Sequence, residues 1–115
     1  VSYPFLSGSG PILVEAEVTG PACTLPVQLI LDTGATRTVN NRSVALAIGF
    51  DLSSPSKLFQ MTTGSKVELV PSVLLTRLSS LGQHRFGFQV LVHTLPLGAL
   101  VFGLLGLDFL RGLEL

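Results

Sequence analysis

The sequence predicts a mostly-β fold, a small closed barrel or folded sheet. Short apolar or alternating segments recur along the whole chain, and Gly, Pro, Asn and Ser turn signals separate them at close intervals. Length agrees: 115 residues suffice for one domain, residues 1–115, with a modest core. No repeat of fixed period and no low-complexity segment stands out.

Taken in order, Ile12 to Val18 alternates around Glu15 and Glu17, the pattern of a strand with one wet face. Thr19-Gly20-Pro21 turns the chain, and Thr24 to Leu31 returns as a second strand. Pro26 places that end at a sheet edge, because it has no N–H to give a neighbouring strand. Asn41 is positioned to cap a short helix, Arg42 to Ile48, which Gly49 closes. Asp51 to Pro55 is a loop. Lys57 to Thr62 and Ser65 to Leu69 read as a hairpin joined at Thr63-Gly64, and the second strand resumes as Val73 to Leu78 after a bend at Pro71. Ser79 to Gln83 turns the chain once more. Phe86, Phe88, Val90 and Val92 then alternate with Gly87, Gln89 and Leu91. A loop from Thr94 to Gly98 precedes a short apolar strand ending at Phe102, and residues 107–110 make a helical turn ended by Arg111-Gly112.

Composition narrows the function. Hydrophobic residues make up 47% of the chain and charged ones 12%, so a self-association surface is expected to cover part of the surplus. Seven basic and seven acidic residues balance; no basic stripe gives nucleic acid a footing. The single Cys23 rules out an internal disulfide and reads as a core or turn residue. The greasiest stretch, Leu95 to Leu107, is broken by Pro96, Gly98, Gly103 and Gly106 and closed by Asp108, too short and interrupted to span a bilayer. The start, Val1-Ser2-Tyr3-Pro4, lacks both a targeting pattern and an initiator Met, as expected of a piece excised from a longer protein. Asn41-Arg42-Ser43 matches a glycosylation sequon, a triplet common by chance. His84 and His93 have no Cys or carboxylate at ligand spacing, so both are expected at the surface or an edge, with no metal and no cofactor. No Gly-flanked nucleophilic Ser and no phosphate-cradling loop occurs.

One segment carries chemistry. Leu29-Ile30-Leu31-Asp32-Thr33-Gly34-Ala35 ends an apolar run on an aspartate locked into a turn, where the Gly lets the backbone bend sharply. A carboxylate is costly to bury without a partner. Two readings stand side by side. In one, Asp32 closes an ordinary Asx-turn by accepting backbone hydrogen bonds; in the other, the turn presents a catalytic aspartate.

Asp32-Thr33-Gly34-Ala35 resembles the active-site signature of retropepsin-like aspartic proteases. Val27, Leu29, Ile30 and Leu31 supply the strand that precedes it in that family, and Thr38-Val39 matches the polar and apolar pair that follows. Leu104-Leu105-Gly106-Leu107-Asp108-Phe109-Leu110 resembles the second signature, two apolar residues, a Gly and a short helix. Gly8-Ser9-Gly10-Pro11 before Ile12-Leu13-Val14 is similar to the start of the first strand in bacterial and plastid-type members. The resemblance covers nearly the whole chain. It implies a small closed barrel with a flap hairpin and one or two short helices.

It also implies an endopeptidase in which a pair of carboxylates shares one proton and activates water. Like charges so close cannot both ionise, so such a pair titrates in two separated steps that belong to the pair. One Asp-Thr-Gly per chain means that Asp32 meets its counterpart in a two-fold homodimer. Asp51, in a Ser/Pro loop, and Asp108, in the helical turn, do not resemble a second copy. In the family Thr33 braces the dimer, Gly34 shapes the turn and Ala35 lets a peptide backbone pass. Met61, Thr62, Thr63 and Gly64 fall on the flap, and Ile30, Phe102 and Leu104 match positions lining substrate pockets, though plain core packing suits those three equally. Departures are visible: Arg37 stands where viral members carry an acidic residue that holds substrate backbone, Leu107 replaces their Arg, and the flap tip has a single Gly. Terminal strands usually knit the dimer, and here only Arg111 to Leu115 follow the helical turn, with Tyr3 to Leu6 as another source. The expected partners are a second copy of the chain and a peptide substrate, with no membrane contact. The alternative is a non-catalytic module that keeps the barrel for dimerising or gripping an extended peptide.

Overall fold

The computed structural model describes residues 12–53, 58–63, 66–94 and 101–111. Among these, β1 (Leu13–Thr19) and β2 (Thr24–Leu31) form an antiparallel hairpin running from Leu13 opposite Ile30 to Thr19 opposite Thr24. The alternation in β1 does what its sequence implies: Ala16 and Val18 are buried while Glu15 and Glu17 face water. Pro26 pairs with Glu17 on one side, and on the other β2 meets a strand only at Ile30 and Leu31.

A two-residue strand β3 (Val39–Asn40) leads into α1 (Arg42–Ala47). Asn41 occupies the cap position, but its side chain makes no capping hydrogen bond; its backbone carbonyl accepts from Val44 and Ala45 instead. Next come β4 (Leu58–Thr63), the long β5 (Lys66–Ser80), β6 (Gln83–Val92), β7 (Gly103–Leu105) and α2 (Leu107–Leu110). Hydrogen-bonded neighbours run β1-β2-β7-β3-β6-β5, and β5 pairs back onto β1, so six strands close a barrel and β4 lies outside the ring on β5. The β2–β7 and β3–β6 pairs are parallel. Inside sit Val18, Leu29, Ile48, Leu75, Leu78, Leu105 and Phe109, with Phe88 meeting Phe109 edge-on at 5.9 Å.

Other expectations change, among them the turn over Ser79 to Gln83, which narrows to Leu81 and Gly82. Pro71 does not bend β5 out of the sheet. It sits where the strand exchanges partners, paired with β4 from Lys66 to Pro71 and with β6 from Ser72 to Ser80. The alternation of β6 breaks at Gly87, whose φ of 57° lies in the left-handed region. Phe88 and Val90 therefore point inward while Phe86 is thrown out, 74% exposed. The last apolar strand begins at Gly103 rather than ending at Phe102. Thr63 belongs to β4, pairing with Lys66; Gly64 and Ser65, like Tyr3 to Leu6 and the end after Arg111, are outside the described residues. No helix among the described residues is long and apolar enough to cross a membrane.

Candidate active site

Asp32 is the first residue after β2, and three hydrogen bonds fix its turn. Its N–H donates to the Leu105 carbonyl at 3.0 Å, its carbonyl accepts from Ala35 at 3.2 Å, and its Oδ1 accepts from the Gly34 N–H at 2.9 Å. The last bond is the Asx-turn of the plainer reading. It occupies one carboxylate oxygen; the other has no hydrogen-bond partner among the described residues. Asp32 is half-buried. Gly34 has no positive φ, and a Cβ there would stand 3.2 Å from Asp32 Oδ1, a tight contact with the carboxylate itself.

The turn is anchored from below by the second signature. The Ala35 carbonyl accepts from Leu107 N–H at 2.8 Å and the Thr36 carbonyl from Asp108 N–H at 3.3 Å. Thr38, fully buried, closes the clamp. Its hydroxyl donates to Asp108 Oδ1 at 2.7 Å and accepts from the Gly106 N–H at 3.1 Å, while its own N–H reaches both Asp108 oxygens. Gly106 lets the two segments approach this closely, since a Cβ there would lie 2.6 Å from the Arg37 carbonyl carbon. Arg85 caps α2 by donating to the Phe109 carbonyl, its guanidinium 4.9 Å above the Phe109 ring. Sequence reasoning left the Thr38–Asp108 bond unseen. The available signal was a lone acid in the most apolar stretch of the chain, which must find donors to be there.

A cavity of about 400 Å³ opens beside the turn, lined among others by Asp32, Gly34, Ala35, Arg37, Met61 and Leu104. Phe59 and Met61 of β4 pack with Val39, Val70, Leu91 and Leu104, so the β4–β5 hairpin forms one wall of this space. Ile30 pairs with Leu104 but does not line the cavity, and neither does Thr33, whose side chain makes no hydrogen bond among the described residues. Thr62 and Thr63 belong to β4, their side chains outside the description, as is Gly64. Phe102 lines a separate, larger cavity of about 590 Å³ with Glu15, Glu17, Ser79 and His84. Size is a poor guide here, because that space contains no residue of the Asp32 turn.

The remaining polar residues fall elsewhere. Asp51 is exposed, and the Ser53 hydroxyl and N–H that donate to it hold its carboxyl below the usual aspartate value. His84 is exposed and hydrogen-bonds Ser79 at 2.7 Å. His93 does have a carboxylate neighbour in space, Glu68 at 3.3 Å, and is half-buried. Cys23 is exposed in the β1–β2 turn, donating to the Ala47 carbonyl. Among the described residues no three His, Cys, Asp or Glu side chains gather as a metal would require.

The closed six-strand barrel is of the retropepsin-like class. A retropepsin-like aspartic protease from Rickettsia conorii superposes with a TM-score of 0.71 over 91% of this chain and 74% of that one, at 20% identity, a likeness of fold. A sequence profile described as aspartyl protease matches residues 14–109, and the chain belongs to that family. Comparison with curated proteins gave no match. Family and fold together support a protease.

Proposed function

We propose that the chain is a homodimeric aspartic endopeptidase in which Asp32 of two copies forms the catalytic pair. The observation that carries the reading is that, among the described residues, Asp32 is the only carboxylate lining its cavity, on a turn held from both ends. A single carboxylate cannot be both the base that takes a proton from water and the acid that hydrogen-bonds the scissile carbonyl. A two-fold axis supplies the missing partner with the same geometry. The ionised member deprotonates the water as its oxygen attacks the carbonyl carbon; the protonated member donates to the carbonyl oxygen as negative charge develops there. Collapse of the tetrahedral species breaks the C–N bond, and a proton passes to the leaving amine.

Peptide backbone would pass beside Ala35, under the wall formed by Met61, with Leu104 offering an apolar surface. Closure of the β4–β5 hairpin as a flap would exclude water and order the bound chain. Bulky apolar side chains next to the cleaved bond are expected to suit this lining. Because the pair must hold one proton, activity is expected to be higher at mildly acidic than at alkaline pH, and equal rates at pH near 9 would contradict the shared proton. A mixed peptide library, offered to the parent and to Asp32→Asn, tests the assignment. Cleavage by the parent alone supports it; binding without cleavage by the parent leaves a peptide-gripping module.

A further inference from the structure

Arg37 gives the cavity a feature that the catalytic chemistry does not use. Of the described residues lining that space, Asp32 and Arg37 alone are charged. Arg37 is exposed, and it is also held in place. One guanidinium nitrogen, Nη1, donates to Gln89 Oε1 at 3.2 Å, and the guanidinium carbon lies 5.3 Å from the centre of the Phe59 ring. Gln89 is oriented in turn, since its Nε2 donates to Ser72 Oγ at 3.2 Å. The guanidinium has no acceptor, so the amide must turn its oxygen to Arg37, which leaves the NH2 end to the Ser72 hydroxyl. The result is a cation restrained on two sides, by the Phe59 ring of β4 and by Gln89 of β6.

A guanidinium offers five N–H donors in a planar fork. Gln89 takes one, and among the described residues no carboxylate takes the others. We propose that Arg37 selects substrates carrying an Asp or Glu side chain in the stretch flanking the cleaved bond. This rests on the cavity being the substrate cleft. An acidic side chain would complete the fork with charge-assisted hydrogen bonds, which are stronger than neutral ones and directional. A lysine or arginine brought to the same place would meet like charge and lose affinity. In the two-fold pair a second Arg37 lies on the opposite side of the bond, so the preference extends to both flanks.

The test uses peptide pairs identical except for Glu against Gln at one position, scanned along both flanks of a cleaved sequence. The parent is expected to favour the Glu member about tenfold at one or more positions, expressed mainly in KM because the contact exists before the chemistry. Arg37→Gln should bring that ratio to about one, Arg37→Lys should keep part of it, and Arg37→Glu should reverse it toward Lys peptides. A role confined to holding the hairpin would lower stability without changing the ratio between two matched peptides. A parent ratio near one at every position, or a preference that survives in Arg37→Gln, overturns the proposal. The same pairs titrated by fluorescence anisotropy onto Asp32→Asn decide the matter without turnover. Absence of any cleavage would therefore count against the protease reading alone.

Discussion

Replacing Thr38 by Val tests whether the hydroxyl, rather than the shape of the side chain, locks the Asp32 turn. The substitution preserves the β-branched outline but removes Oγ1, and with it two bonds: the 2.7 Å donation to Asp108 and the 3.1 Å acceptance from Gly106. The first is charge-assisted, worth roughly 1.5–3 kcal/mol. The second leaves a buried N–H without its acceptor, at a cost of roughly 1–3 kcal/mol. Because the Thr38 N–H still reaches the Asp108 carboxylate, some of the clamp survives, and a net loss of about 3 kcal/mol is expected. For a chain of this size that corresponds to a fall in Tm of roughly 15 °C. Urea melts at fixed protein concentration would measure it, since the proposed dimer would make apparent stability concentration-dependent. Thr38→Ser, which keeps the hydroxyl and loses one methyl, should cost about 1 kcal/mol. Combining Thr38→Val with Asp108→Asn should lose less than the sum of the single variants, because both remove the same bond. A Thr38→Val protein within about 0.5 kcal/mol of the parent would refute the clamp.

Other expectations follow from single residues. Leu81 has a φ of 53° followed by Gly82 at 74°, in the two-residue turn between β5 and β6, so Leu81→Asn should stabilise by about 0.5–1 kcal/mol in thermal melts; a destabilised variant contradicts this. Gly106→Ala forces a Cβ to 2.6 Å from the Arg37 backbone and should either prevent folding or cost several kcal/mol, read by circular dichroism and denaturation; a parent-like melt would show that the segments are not packed so closely. Ser53→Ala should raise the Asp51 carboxyl toward its ordinary value, followed by NMR titration. A lowered pKa means stability present above the unfolded value and lost as pH falls through the folded one, so the variant should be less sensitive to acid than the parent at that site.

Much of the fold could be read from local pattern because β1 and β2 state their period plainly. Glu15 and Glu17 against Ala16 and Val18 leave one face for the core, and β2 spans the predicted Thr24 to Leu31. What the pattern could not express was non-local. β3 is two residues long and exists because it lies between β6 and β7, which no window of sequence reveals. The reversal at Gly87 depends on a single backbone angle, so Phe86 looked like its neighbours Phe88 and Val90. In the candidate site, the place of Asp32, in a turn just after an apolar strand, was legible. Arg37 was visible as a departure from a pattern, but its orientation by Gln89, 52 positions away, was not. Thr38 and Asp108 are 70 positions apart, and their bond appears only once the barrel brings both signatures together.

The central claim concerns the number of aspartates acting at one bond. Parent and Asp32→Asn chains, mixed in equal amounts at constant total concentration and allowed to exchange subunits, give the most direct measurement. If each active unit needs Asp32 from both copies, random assortment leaves about a quarter of the parent activity. A remaining activity near half would mean that one carboxylate suffices in each chain, and would contradict the shared pair.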